Sequence, residues 1–162
     1  MRRAVSLAAA FVMLGAATLS AQAANFSGTW TRDTTGMGAM QQGGGRQGGG
    51  GGGPMTITMD AKTMTITRTT PNGETKQIFN LDGSDSKNMQ PGRQGGAPTE
   101  IVSHAKWDGA KLVVTTTRDF NGTAMTTTAV YSLDGGKLVI ATTNPPRNGG
   151  EATTTTVKYN KS

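Results

Sequence analysis

Apolar and polar residues alternate along most of the chain in short runs that end at tight-turn signals. Asp-Gly pairs begin at Asp82, Asp108 and Asp134, 26 residues apart, and each follows an alternating triplet such as Tyr131-Ser132-Leu133. Alternation with a period of two before an Asp-Gly turn is the sequence signature of a β-hairpin. The pattern therefore predicts a series of antiparallel hairpins.

A second set of breakers lies between these turns: Pro71-Asn72-Gly73, residues 91–98, Asn121-Gly122 and residues 145–150. The predicted strands are 26–32, 55–59, 63–70, 74–81, 84–89, 99–107, 111–119, 124–133, 137–144 and 151–159. Consecutive antiparallel strands leave two exposed edges unless the sheet closes on itself. We expect an all-β, up-and-down barrel of 8–10 strands, with a two-sheet sandwich as the alternative.

The first 23 residues have the features of a secretory signal peptide. Arg2 and Arg3 precede an apolar stretch over residues 4–19, and Ala21-Gln22-Ala23 supplies the small residues that a signal peptidase accepts. The stretch is short and has no basic flank behind it, which argues against an uncleaved transmembrane helix. We expect cleavage after Ala23, a single domain over 24–162 with no membrane span, and a periplasmic or secreted location.

Composition limits the chemistry that the chain can carry. The net charge of +6 falls to +4 when cleavage removes Arg2 and Arg3, which is too little to indicate a nucleic-acid partner. The chain has no Cys and one His, His104, whose position in the alternation points it outward. No Ser-His-Asp grouping or ordinary zinc site is indicated. We therefore expect a protein that is not an enzyme and has no cofactor or metal; the oligomeric state stays open.

The segment Asn25-Phe26-Ser27-Gly28-Thr29-Trp30 resembles the G-x-W opening of the first strand in lipocalin-like (calycin) barrels. The hairpin series that follows is similar to many small exported bacterial proteins. The resemblance implies that Trp30 packs at the closed end of a ligand-binding barrel. No terminal helix or helical lid is visible, in contrast to the family.

Following the strands up and down places all Asp-Gly turns at one end of the barrel and the longer Gly- and Pro-rich loops at the other. The Gly-rich segments 36–53 and 91–97 contain few apolar residues, so we expect flexible loops there. One end is thus predicted to be closed and the other open, as in barrels that hold small ligands. In this topology the open end carries the arginines Arg32, Arg46, Arg68, Arg93, Arg118 and Arg147, and the closed end Lys62, Lys106, Lys111, Lys137 and Lys158.

Three of the arginines, Arg32, Arg68 and Arg118, share the inner face with apolar neighbours. With Trp30 and Tyr131, these arginines are the predicted binding residues for a small apolar or amphipathic molecule. A guanidinium pairs a carboxylate or phosphate through two parallel hydrogen bonds, so the arginines would suit an anionic ligand. The alternative is that acidic residues at the same end neutralise the arginines as surface ion pairs; these are Asp33, Glu74, Glu100, Asp119 and Glu151.

Features of the sequence also bear on three other functional classes. A structural or envelope-interaction protein would have a barrel filled by side chains, whereas a lumen of about 300 Å³ or more favours a ligand carrier. Met37 and Met40 have the spacing of a soft thioether pair for Cu(I), although Met is more often packing material. An outer-membrane barrel is disfavoured because aromatic residues make up only 5% of the chain and Thr and Lys occupy the outward positions.

Overall fold

The computed structural model describes residues 23–35, 53–70, 73–90, 96–120, 122–146 and 150–162. Ten strands are present: β1 (Gly28–Arg32), β2 (Met55–Met59), β3 (Thr63–Thr70), β4 (Gly73–Asn80), β5 (Asp85–Gln90), β6 (Thr99–Asp108), β7 (Lys111–Phe120), β8 (Thr123–Asp134), β9 (Lys137–Asn144) and β10 (Thr153–Lys161). They coincide within two residues with the ten segments that the alternation predicts. In the described ranges no helix is long and apolar enough to cross a membrane.

All ten strands belong to one antiparallel sheet in the order β4-β3-β2-β1-β10-β9-β8-β7-β6-β5. Strands that are neighbours in the chain pair with each other, except β4 and β5, and β1 pairs with β10, so the sheet curls into an up-and-down barrel. Its two edges, β4 and β5, are consecutive in sequence and face one another. The predicted barrel is therefore confirmed, and the two-sheet sandwich is wrong. The signal peptide and most of segments 36–53 and 91–97 lie outside the described residues.

The tight turns form as the Asp residues predict. The carboxylate of Asp60 accepts hydrogen bonds from the backbone N–H groups of Lys62 and Thr63, both at 2.7 Å. Asp82 likewise accepts from the backbone and hydroxyl of Ser84, and these bonds hold the pKa of both carboxyls below its ordinary value. The backbone φ of Gly83 is 85°, in the left-handed region that glycine adopts without a steric penalty.

The closed end is filled by the chain that precedes β1. Phe26 is fully buried, stacks on Trp107 with ring centroids 5.9 Å apart, and lies 6.2 Å from the ring of Tyr131. Trp30 is 2% exposed and its indole N–H donates to the carbonyl of Phe26 at 2.8 Å. Burial of the indole at the barrel floor agrees with the expected position of Trp30. The predicted first strand, 26–32, includes Phe26, whereas β1 begins at Gly28, so Phe26 fills the floor from the segment just before the strand.

The seam between β4 and β5 has no backbone ladder; side chains of β5 close it instead. The amide of Asn88 accepts from the N–H of Ile78 at 2.7 Å and donates to the carbonyl of the same residue at 2.9 Å. Ser86 accepts from the N–H of Asn80 at 2.7 Å, and the amide of Asn80 donates to the carbonyl of Asp85. Asn88 and Ser86 are both buried, so these bonds replace a missing strand pairing in a site with little access to water.

The stagger of the strands corrects one prediction about the two ends. Arg32 lies opposite Tyr159, and Tyr159 lies opposite Leu138, the second residue of β9. The next residue after Arg32, Asp33, consequently reaches Lys137, and the ammonium and carboxylate are 2.7 Å apart. Asp33 was predicted at the open end and Lys137 at the closed end. The prediction for this pair was wrong, because it assigned residues to the two ends of the barrel by turn type alone. In a barrel with tilted strands, the register shifts from strand to strand, and this offset accumulates around the barrel.

We predict that Asn88→Leu destabilises the barrel by about 2–4 kcal/mol, because it leaves two backbone groups of Ile78 without partners at the seam. Chemical denaturation measures the loss, and amide hydrogen exchange of Ile78 should accelerate more than exchange in β8. Lys87→Leu, on the exposed face of the same strand, is the control and should change stability by less than about 0.5 kcal/mol. Equal effects of the two substitutions would contradict the assigned role of Asn88.

Candidate functional site

The inner face of the barrel is packed near the closed end and open to water above it. Inner residues of β7–β10 near the closed end, among them Leu112, Tyr131, Ile140 and Tyr159, are 0–7% exposed. Further along the same strands, inner positions such as Thr127 are only half-buried, and Thr155 is exposed. Alternation keeps these threonines on the inner face, so water reaches the interior of the upper half.

Arg32 and Arg68 lie on the inner face, each two residues along its strand from a buried apolar residue, Trp30 or Ile66. Arg32 ends β1, two residues after Trp30; Arg68 of β3 lies opposite Met55, which itself lies opposite Trp30. With strands about 4.8 Å apart and a rise of about 3.4 Å per residue, the two Cα atoms are roughly 12 Å apart. Two extended arginine side chains span that separation. Both are half-buried, and in each the Nε atom is buried without a hydrogen-bond partner within the described chain.

The ion pairs do not neutralise these guanidinium groups. Within the described ranges the ion pairs involve lysines or His104 and no arginine. Asp33 bonds Lys137, an interaction that, with its bonds to Thr35, holds the pKa of the Asp33 carboxyl far below its ordinary value. Glu100 pairs with Lys87. Two of the acidic residues predicted as partners for arginine are thus paired with lysine instead.

Two tyrosines accompany the arginines. Tyr131 is 6% exposed, and burial raises the pKa of its phenol above its ordinary value near 10; the charge of Arg68 offsets part of that effect, and Tyr159 adds to it. The charges of Arg68 and Tyr159 thus act on the Tyr131 phenol, and Tyr159 lies opposite Arg32 across the β1–β10 pairing. Tyr159 was not among the predicted binding residues, although its place in the alternating triplet Val157-Lys158-Tyr159 pointed it inward. Arg32, Arg68, Tyr131 and Tyr159 are called the arginine–tyrosine cluster below.

The other predicted binding residues lie elsewhere. Arg118 lies opposite Met125 on β8, and Leu112 of β7 lies opposite Tyr131. Arg118 is six residues from Leu112, which is about 20 Å along the strand. The structure therefore places Arg118 at the open end and does not bring it to the arginine–tyrosine cluster. Trp30 packs under the cluster in the barrel floor, where Lys161 lies 5.6 Å from the centre of its ring. Its indole N–H is already bonded to Phe26.

The closed end and the described candidate metal ligands differ from the arginine–tyrosine cluster. A cavity of about 260 Å³ at the closed end is lined by Ala24, Met59, Leu81 and Trp107, and its one ionisable side chain, Asp60, is held by its own turn. His104 is exposed, as the alternation predicts. No three His, Cys, Asp or Glu side chains come together in the part of the chain that the structure describes. Met37 and Met40 lie outside it.

Comparison with known proteins gives the fold but no family. No family model matches the sequence, and no curated protein does. Three solved structures resemble the barrel and overlap 85% of this chain. The first is zebrafish ileal bile acid-binding protein complexed with cholic acid, at 18% identity and a TM-score of 0.57 over 98% of that chain. The second is the fluorescent protein UnaG, at 22% identity and a TM-score of 0.54 over 97% of that chain. The third is lipid binding protein 8 of Caenorhabditis elegans in its apo form, at 12% identity and a TM-score of 0.56 over 95% of that chain.

These similarities cover nearly the full length of each solved structure, so the whole architecture is shared rather than one hairpin. The fold is that of the calycin barrels, and specifically of the ten-stranded form that resembles fatty-acid-binding proteins. The expected lipocalin-like architecture is confirmed at that level. At 12–22% identity, the similarity establishes the fold alone.

Proposed function

We propose that this protein is an exported, non-enzymatic barrel that binds a small amphipathic anion, with the anionic group at the arginine–tyrosine cluster. The observation that carries the proposal is the pair of buried, unpartnered Nε atoms of Arg32 and Arg68 in the described chain. A buried charged donor without a partner is costly, and an anion supplied by a ligand would satisfy both groups.

The chemistry of the cluster suits a carboxylate. Two guanidinium groups supply the positive charge, and the raised pKa of Tyr131 keeps its phenol neutral, so that the O–H can donate to an anion instead of repelling it. The apolar side chains below the cluster fill the floor, which directs a ligand upward into the water-accessible half. Binding of this kind requires no nucleophile or general base.

The solved structures lend support of a general kind. One of them holds cholic acid, and another is called a lipid binding protein. Both names describe ligands with an apolar body, and cholic acid also carries a carboxylate. The alternative of a structural or envelope-interaction protein draws on the packed lower half, where the inner side chains of Leu112, Tyr131 and Tyr159 are 0–7% exposed. The exposed inner positions above the cluster favour the carrier.

Export is part of the proposal. Its support is the signal-like sequence of residues 1–23, together with the position of the segment that follows it. Ala24 is partly buried against the core and Phe26 is fully buried, so the residues directly after the expected cleavage site pack into the barrel. We place the mature protein in the periplasm or outside the cell.

Arg68→Gln and Arg32→Gln should each weaken binding of dodecanoate about tenfold or more, because each removes a charge-assisted hydrogen bond of about 1.5–3 kcal/mol. Binding is measured by displacement of a fluorescent probe, at low and moderate salt. The matched control is Arg118→Gln, which should change the affinity less than about twofold. Arg118 lies about 20 Å along β7 from Leu112, the residue opposite Tyr131.

The same titration with 1-dodecanol separates the anion site from general apolar binding. Dodecanol should bind more weakly than dodecanoate to the unmodified protein and respond little to the Arg32 and Arg68 substitutions. Equal affinities for acid and alcohol, binding of neither, or an Arg118→Gln effect as large as that of Arg68→Gln would each rule the anion site out.

For export, we expect the mature protein recovered from the periplasm or medium of the expressing cell to begin at Ala24 or within two residues of it. Intact-mass measurement reads this directly, and substituting Ala21 and Ala23 with bulky residues should retain the precursor in the membrane fraction. A full-length chain beginning at Met1 in the cytoplasm would refute export while leaving the binding proposal intact.

A further inference from the structure

The inner face of β6–β10 changes from apolar to hydroxyl-bearing along the strand direction. One inner row comprises Trp107, Leu112, Tyr131, Ile140 and Val157, each opposite the next across the sheet, and Leu138 and Tyr159 lie below it on β9 and β10. The row above begins with Ala105, Val114 and Ala129 and ends with Thr142 and Thr155. The third row is Ser86, Ser103, Thr116 and Thr127, on β5–β8. Hydroxyl groups thus replace alkyl groups above the arginine–tyrosine cluster.

The inward direction of these side chains rests on burial and hydrogen bonding. Ser103 is fully buried between Ile101 and Ala105 on the inner face of β6, and its hydroxyl lies 2.9 Å from that of Thr116. Thr127 lies opposite Thr116, so it shares that face. The adjacent residues point outward: Thr143 and Thr154 are bonded hydroxyl to hydroxyl at 2.8 Å on the exposed side.

A hydroxyl-lined wall favours a different ligand body from an alkyl-lined one. An alkyl chain laid against it displaces water from the threonines without replacing their hydrogen bonds, which costs free energy for each hydroxyl left unpaired. A ligand that carries its own hydroxyl groups restores those bonds. Sites built to hydrogen-bond a ligand hydroxyl discriminate strongly against the analogue that lacks it.

We propose that the ligand of this barrel is a hydroxylated organic anion: an acidic group at the arginine–tyrosine cluster and a rigid body with several hydroxyl groups against Thr127, Thr142 and their inner-face neighbours. The inference rests on the proposed anion site and adds the chemistry of the ligand body. It distinguishes this barrel from a carrier of simple alkyl acids, whose ligand would need an apolar wall at these positions.

The test uses three steroid acids with one skeleton and one carboxylate: lithocholate, deoxycholate and cholate, which carry one, two and three hydroxyl groups. Affinity is measured calorimetrically below the micellar range. A nonspecific apolar site favours lithocholate, because it is the least water-soluble of the three. The hydroxyl-lined site predicts the reverse order, with cholate bound about tenfold more tightly than lithocholate.

Paired threonines provide matched variants. The double variant Thr127→Val and Thr142→Val removes two inner hydroxyls at nearly constant volume; Thr128→Val and Thr143→Val makes the same change on the outer face of the same strands. The inner pair should weaken cholate about tenfold and lithocholate less than twofold, and the outer pair should change neither. Thr127→Ser with Thr142→Ser retains the hydroxyls and should restore cholate binding, which separates a lost hydrogen bond from a folding defect.

Each outcome bears on one proposal or on both. The hydroxylated ligand is ruled out if lithocholate binds most tightly, or if the inner and outer double variants have equal effects. If Arg68→Gln still weakens binding of all three acids in that case, the anion site stands. Conversely, an unchanged affinity in Arg68→Gln with the hydroxyl order preserved refutes the anion site alone. Absence of binding for all three acids contradicts both.

Discussion

Closing the seam between β4 and β5 is the constraint on which the rest of this barrel depends. Nine pairs of neighbouring strands are joined by backbone ladders, and the tenth pair is not. The amide of Asn88 supplies both a donor and an acceptor to Ile78, and Ser86 supplies an acceptor to Asn80. Without these bonds the sheet would keep two open edges, which are sites for aggregation, and its inner face would not be enclosed.

Enclosure of the inner face removes parts of the two arginine side chains from water. On an open sheet, Arg32 and Arg68 would extend into water, and their charges would be hydrated. Inside the barrel their Nε atoms are buried, and the described acidic residues that form ion pairs do so with lysine or histidine. Under the proposed function, an anion bound between them would recover the energy of this buried charge, and the cost of closing the barrel over the arginines would then be linked to affinity for a ligand.

Much of this arrangement could be predicted from local sequence signals. Alternation and Asp-Gly turns located all ten strands, and the inward positions of Arg32 and Arg68 followed from their spacing to Trp30 and Ile66. The residues that were missed act through non-local geometry. Phe26, which the alternation assigned to the first strand, fills the floor from just before β1. Asn88 substitutes for a backbone pairing, and Tyr159 joins the cluster through the pairing of the first strand with the last. The Asp33–Lys137 pair depends on the stagger of the barrel, which no single segment encodes.

The most direct test of a buried, unpartnered arginine pair is nuclear magnetic resonance of the arginine Nε–Hε groups during titration with dodecanoate. The account predicts that the Hε signals of Arg32 and Arg68 shift together, saturate at one equivalent and exchange more slowly with solvent, because each gains a charge-assisted hydrogen bond. Dodecanol should leave both signals in place. Saturable binding of the acid with no change at either Hε, or with the shift confined to Arg118, would contradict the central role assigned to this pair.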